Sequence, residues 1–187
     1  MKRFCTRWGE PRFVCDVHLA KVAKYLRLLG FDTFYRHDIS DDELLALTRC
    51  GRVGVTCDRR LQMRAPGRIV LLGCEDAETQ VRRLAAIFSL ARYAHPFRRS
   101  LCCNRPVVAA AKTAVFGSVP KETYRWLDGY WVCPKCKKVY WRGTHAKRMH
   151  RKVIEWMGIS GKSLGKCVEE VNMSSQTVVT PRGLEPL

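Results

Sequence analysis

RFVCDVHLAKVAKYLRLLGFDTFYRHDISDDELLALTRCGRVGVTCD, residues 12–58, alternates short apolar runs with amphipathic ones. That alternation points to an α/β protein whose sheet is at least partly parallel. Arg12 to Cys15 reads as a strand ending at Asp16. Leu19, Val22, Ala23, Leu26 and Leu29 then recur at helical spacing, and Gly30 stands where a left-handed helix end belongs. Phe31 to Tyr35 reads as a second strand. Ser40-Asp41-Asp42-Glu43 has the capping-box pattern that opens a helix through Leu44, Leu45 and Leu47 and stops at Gly51. Arg52 to Thr56 is a third strand and delivers Asp58.

Beyond this stretch, Arg68 to Leu72 reads as a fourth strand, and a helix from about Ala77 to Tyr93 closes the first domain, residues 10–93. The His, Pro and Arg residues between Ala94 and Arg99 mark a linker. A second module, residues 97–150, crowds Trp126, Tyr130, Trp131, Tyr140 and Trp141 around Cys133-Pro134-Lys135-Cys136, as β-ribbons around a metal knuckle do. Residues 160–187 lack periodicity and read as a disordered tail.

The chain has 187 residues and a net charge of +17, unevenly spread. Residues 1–91 hold 16 Lys/Arg against 11 Asp/Glu, whereas residues 92–166 hold 17 against 3. A basic second half beside an acid-containing first half suits a protein that grips a phosphate backbone with one part and holds a metal with the other. No uncharged apolar run approaches the roughly 20 residues of a membrane span. The basic start lacks the apolar stretch of a secretory signal, so the expected location is the cytoplasm. Ten cysteines in that setting point to reduced thiols and metal ligands rather than disulfides. Cys15 and Cys57, inside strand-like runs, read as buried small residues.

In a right-handed βαβ arrangement, groups at the carboxyl ends of neighbouring strands converge on one sheet edge. Asp16 and Asp58 occupy that edge, and Asp41, in the first turn of its helix, can reach it. Asp38, Asp42 and Glu43 lie close in sequence. Clustered carboxylates repel one another unless a cation sits between them, and magnesium or manganese suits oxygen ligands. Such an ion activates water and offsets charge on a phosphodiester. The alternative roles are helix and loop capping.

FVCDVHLAKVAKYLRLLGFDTFYRHDISDDELL, GRVGVTCDRRL, CCNRP and YWVCPKCKKVYWRGTHAKRM, taken in order, resemble the Mut-seven C-terminal RNase domain family across roughly residues 12–150. That family is a branch of the PIN-like nucleases with a zinc ribbon attached. The resemblance implies an α/β, PIN-like, mostly parallel sheet flanked by helices, a small zinc ribbon after it, and a magnesium- or manganese-dependent RNase activity. Its acidic positions fall on Asp16, Asp41 and Asp58, with Asp38 a further candidate. Where the family commonly has Thr-Arg-Asp, this chain has Thr56-Cys57-Asp58. It also has Ser100 where the family places the first cysteine of an upstream CxxC pair, leaving Cys103 at the retained position.

Cys133 and Cys136 are spaced so that two thiolates meet one tetrahedral zinc. Cys103 adds a third ligand, and Cys102 and His145 compete to be the fourth. Lys137, Lys138, Arg142, Lys147 and Arg148 run through and beyond the knuckle, and Lys21, Lys24 and Arg27 line the polar side of the first helix. These cations supply phosphate affinity for RNA, while the interleaved aromatics either stack on unpaired bases or form the ribbon's core. His18 either contacts a phosphate or packs at a helix start. No P-loop, dinucleotide fingerprint or Ser/His/Asp order is present. The competing functional class is a non-catalytic RNA-binding adaptor whose acids are structural.

Overall fold

The computed structural model describes residues 10–158, apart from the side chains of Thr144, His145 and Lys147. The segment expected to be a disordered tail lies outside the described residues. The first half builds β1 (Phe13–Cys15), α1 (Ala20–Leu28), β2 (Thr33–Phe34), α2 (Asp41–Arg49), β3 (Val53–Thr56), α3 (Arg59–Arg64), β4 (Ile69–Leu71) and α4 (Ala77–Phe88). The four strands form one parallel sheet in the order β2-β1-β3-β4.

Side-chain alternation along the strands gives this sheet two buried faces. Phe13, Cys15, Val53, Val55 and Val70 pack beneath α1 and α4, whereas Val14 and Ile69 pack beneath α2 and α3 with Leu44, Leu45 and Leu61. Gly54 takes the second face without a side chain, because a Cβ there would lie 2.8 Å from Ile69 and 3.0 Å from Thr48. The helix starts follow their caps. Ser40 accepts from the Glu43 amide, as the capping pattern requires, and Asp76 accepts from the amides of Glu78 and Thr79.

Several elements depart from the sequence expectations. β2 shrinks to two residues, and α4 stops at Ser89, whose left-handed φ of 49° turns the chain into a short 3-10 turn at Leu90–Arg92. α3 lies immediately after Asp58, in a stretch too short for apolar periodicity to show.

The second half forms an antiparallel sheet, β5 (Val108–Ala110), β6 (Tyr130–Val132) and β7 (Val139–Trp141), with α5 (Lys121–Trp126) between β5 and β6. Its small core gathers Val115, Val119 and Tyr130. The basic stretch after the ribbon becomes α6 (Thr144–Met157), which packs back on the first domain. Trp156 is buried, its ring 4.5 Å from that of Tyr25, and its indole nitrogen donates to Glu78. Lys152 pairs with the same Glu78, and Arg82 pairs with Glu155. Trp156→Ala empties this site, so thermal or urea denaturation should show a loss of about 3–5 kcal/mol. An unchanged midpoint would mean that α6 contributes nothing to the first domain.

Among the described residues no helix is long and apolar enough to cross a membrane.

Candidate functional site

The strand order places a topological switch between β1 and β3, since β2 lies to one side of β1 and β3 to the other. In open α/β sheets ligands bind outside the carboxyl ends of strands at such a point. Asp16 and Asp58 stand there. The β1–β3 register pairs Cys15 with Val55, so Asp16 comes opposite Thr56, and its amide donates to Val55 O. Thr56, fully buried, donates its hydroxyl to Asp16 Oδ2 at 2.6 Å and accepts from the Asp58 amide at 2.9 Å. One threonine thus ties the two acids together. Its place in the sequence, last in a strand and two residues before an acid, is the signal that could have revealed it.

Asp16 is nearly buried, and its Oδ1 caps the 3-10 turn Val17–Leu19 that leads into α1. Asp58 is exposed, and its Oδ1 accepts from the Arg60 amide at 2.7 Å to start α3. Among the described residues its Oδ2 accepts no hydrogen bond, leaving lone pairs for a ligand. An open cleft of about 700 Å³ adjoins these strand ends. Asp58, Glu75, His18, Lys21, Cys57 and Cys74 all line it. Cys57 is half-buried rather than in the core, and Gln80 donates to its sulfur. Neither Cys74 nor Glu75 was legible as a cleft residue, because the turn after β4 carries no periodic signal. Glu75 is paired with Arg83 at 2.9 Å.

The other two acids have cationic partners. Asp38 pairs with Arg36 at 2.6 Å, and that hydrogen bond holds its carboxyl below the usual value. Asp41 lies 3.5 Å from Arg64, which also pairs with Asp42. Among the described residues no three carboxylates come within 4.8 Å of one another.

Cys102, Cys103 and Cys136 do come together, their sulfurs all within 4.8 Å. Cys102 Sγ lies 3.3 Å from Cys136 Sγ and 3.7 Å from Cys103 Sγ. A tetrahedral zinc with bonds of about 2.3 Å sets its sulfurs about 3.8 Å apart, so the trio fits one soft cation. Cys133, the other expected ligand of the knuckle, is buried and stands outside this trio, and the Cys133–Lys138 turn closes through Lys137 N to Cys133 O and Cys133 N to Lys138 O. Burial alone would raise its thiol pKa, but hydrogen bonds from the Cys136 and Lys135 amides lower it. Burial of Cys102 is likewise outweighed, by hydrogen bonds with Ser100, Cys136 and Cys103, and its pKa falls to about 6. Cys103 is pushed up to about 12, first through its hydrogen bond with Cys136. Ser100 is fully buried among them, its hydroxyl 3.3 Å from Cys102 Sγ, 3.8 Å from Cys136 Sγ and 3.0 Å from Tyr140 OH. The side chain of His145, the rival ligand, lies outside the described residues.

The expectation for Arg27 is corrected. Rather than facing solvent with Lys21 and Lys24, which are exposed, Arg27 is buried and donates to the carbonyls of Thr33, Leu101 and Cys102 at 3.0, 3.0 and 3.1 Å. Three carbonyls at the end of α1 can be satisfied by one guanidinium fork, which is why an arginine on an otherwise polar stripe turns inward. Asn104 extends the joint by accepting from Thr33 N and donating to Asp32, which Arg52 also grips at 2.9 Å. The cysteine loop is thereby fastened where β2 begins, at the sheet end opposite the acids. Lys137, Lys138, Arg142 and Arg148 are exposed, and the Lys147 side chain lies outside the described residues.

The architecture is a parallel four-stranded sheet flanked by helices, followed by a small antiparallel sheet carrying a cysteine cluster consistent with a zinc ribbon, as expected of a PIN-like domain with an appended ribbon. Residues 11–153 match the Mut7-C RNAse domain model, and the chain belongs to that family. Membership implies a ribonuclease, with RNA as its substrate. No curated protein and no solved structure matches the chain.

Proposed function

We propose that the protein is a magnesium- or manganese-dependent ribonuclease of the cytoplasm, with residues 10–93 as the catalytic unit and residues 97–150 as a zinc ribbon that grips RNA. The supporting observation is the Asp16–Thr56–Asp58 relay at the switch point of the sheet, opening on a cleft. The donor set fits a hard cation. Asp58 has an oxygen without a partner among the described residues, and each carboxylate oxygen of Asp16 keeps a second lone pair after its hydrogen bond. Asp16 and Asp58 would hold the ion, with Asp41 and Asp38 further candidates that must leave their arginines to join.

The ion supplies an activated water and an offset for phosphate charge. Thr56 fixes the direction of the Asp16 carboxylate. His18 and Lys21, on the cleft wall, meet the phosphates flanking the scissile bond, and Lys24 extends that basic face. The Cys102, Cys103 and Cys136 trio fits zinc, with Cys102 in the place that Ser100 leaves without a thiol, and Cys133, whose sulfur stands outside that trio, would move in to complete the set. Incubating the purified protein with a mixed RNA pool, with and without manganese, tests the reading. Metal-dependent shortening of RNA is expected. Intact RNA that is nevertheless bound would leave the non-catalytic adaptor.

Lys137, Lys138, Arg142, Lys147 and Arg148 serve the grip in this reading. Replacing Lys137, Lys138 and Arg142 with Ala is expected to weaken binding and to flatten its dependence on salt. Each lost phosphate contact removes about 0.7 from the log–log slope for single strands, so the slope should fall by about 2. A slope equal to that of the unsubstituted protein would remove these residues from the RNA interface.

A further inference from the structure

We infer that Gln80 is the residue by which the cleft recognises ribose, its side-chain carbonyl accepting a hydrogen bond from a 2′-hydroxyl of the RNA strand. The inference rests on the ribonuclease reading and deepens it by naming what the site reads. Gln80 lies on the buried face of α4 with Val81, Leu84 and Ala85, and only 5% of it is exposed. An amide in such a place is costly unless its polar atoms are paired, and a leucine would fill the same stripe without that cost. Half of the amide is accounted for. Nε2 donates to Gly73 O at 2.7 Å and to Cys57 Sγ at 3.4 Å, which straps the turn after β4 to the end of β3. A backbone carbonyl can only accept, so the contact with Gly73 O fixes the nitrogen on that side and turns Oε1 the other way. The Cys57 thiol donates to Gly73 O at 3.6 Å, and so it does not serve Oε1 either.

Oε1 is the part of Gln80 that meets the cleft. It accepts no hydrogen bond among the described residues, and His150 Nε2 is the only polar side-chain atom among them that is both sealed from solvent and without a partner. Gln80 lines the cleft together with Asp58, His18 and Lys21. Its strap to Cys57 holds it beside Asp58, the next residue in the chain. A nearly buried side chain thus presents one oriented acceptor to the cleft. An acceptor needs a donor, and within a polynucleotide backbone the phosphate oxygens and the sugar ring oxygens only accept. The 2′-hydroxyl is the one donor that an RNA backbone carries, and DNA lacks it. The backbone is also what lies here, since Asp58, His18 and Lys21 are the groups assigned to the metal and the phosphates. Attack by a metal-activated water does not consume the 2′-hydroxyl, which is therefore free to serve in recognition.

The test measures, without added magnesium or manganese, the affinity of the full chain for labelled oligouridylates of one length that carry either 2′-hydroxyl or 2′-fluoro groups. Fluorine keeps the sugar pucker of RNA but donates no hydrogen bond. The unsubstituted protein is expected to bind the hydroxyl strand about ten-fold more tightly, the scale of one buried acceptor left unmet. In Gln80→Leu the hydroxyl strand should weaken while the fluoro strand does not, so the ratio falls toward one. Gln80→Met, which keeps the length of the side chain, is run beside it, and thermal midpoints show that each variant folds. A residue that only strapped Gly73 to Cys57 would weaken both strands equally, so a ratio retained in a folded variant would overturn the inference. Equal affinities of the unsubstituted protein for the two strands would overturn it without any variant. A Gln80→Leu effect on the choice between oligouridylate and oligocytidylate, with the hydroxyl-to-fluoro ratio unmoved, would assign Oε1 to a base edge and overturn it as well. Manganese-dependent cleavage of the hydroxyl strand is read in parallel. Its absence beside a hydroxyl preference that depends on Gln80 would remove the catalytic reading and leave the ribose contact, whereas cleavage with equal affinities would do the reverse.

Discussion

Asp58→Asn is expected to lower manganese-dependent RNA cleavage by at least about a hundred-fold while RNA binding stays equal or tightens slightly. The substitution keeps shape and one oxygen, but it removes the charged oxygen that faces the cleft without a hydrogen-bond partner among the described residues. Less negative charge at the strand ends also repels phosphate less, hence the small gain in binding. Asp16→Asn should cost as much and destabilise the fold as well, because Asp16 is nearly buried between the Val17 amide and the Thr56 hydroxyl. Thr56→Val provides a graded control. It removes the hydroxyl behind the acids without touching a ligand, and losing such a supporting group typically costs about 10–100-fold. Cleavage rates across manganese concentrations, compared with RNA affinities from titration, separate the three variants. Undiminished cleavage in both Asp16→Asn and Asp58→Asn would exclude the switch-point acids from catalysis.

Cys136→Ser is expected to release zinc and to loosen the ribbon together with the adjoining edge of the first domain. Structural zinc contributes about 10–16 kcal/mol of apparent binding free energy in zinc-finger peptides, which matches or exceeds the roughly 5–15 kcal/mol that holds an ordinary domain folded. The effect should spread because Arg27, Asn104 and Arg99 hydrogen-bond the cysteine loop to Thr33, Asp32 and Gly30. Hydrogen exchange should therefore rise in β2 as well as in β5–β7. Full protection of β2 in the zinc-free variant would show that the joint holds without the metal. A compensating pair tests the ligand set directly: Cys102→Ala should lose zinc, and Ser100→Cys in the same chain should restore it, since Ser100 already sits 3.8 Å from Cys136 Sγ. Zinc analysis and the cobalt-substituted spectrum give the readout. A full equivalent of zinc in Cys102→Ala would take Cys102 out of the ligand set.

The alternation of apolar runs in residues 12–58 determined the parallel sheet, because every strand buried on both faces must be short and apolar and each crossover helix must carry a period of 3.6. The Cys133–Cys136 spacing and the concentration of Lys and Arg after residue 92 likewise marked the ribbon, since metal geometry and charge are local properties of the chain. The family signature lay in the order of those motifs. Tertiary structure alone decided which neighbours the polar groups found. The register that sets Thr56 against Asp16 joins residues 40 positions apart, and no local pattern encodes it. Arg27 reads as solvated on a helical stripe until the Leu101 and Cys102 carbonyls, 74 and 75 positions away, draw it inside. The basic tail of the ribbon became α6 because Lys152 and Trp156 had a partner, Glu78, to find in the first domain. Side-chain period tells which face of an element is apolar. Only the packed chain tells what lies opposite it, and so it was the fold that set the cysteine loop and the acids at opposite ends of one sheet.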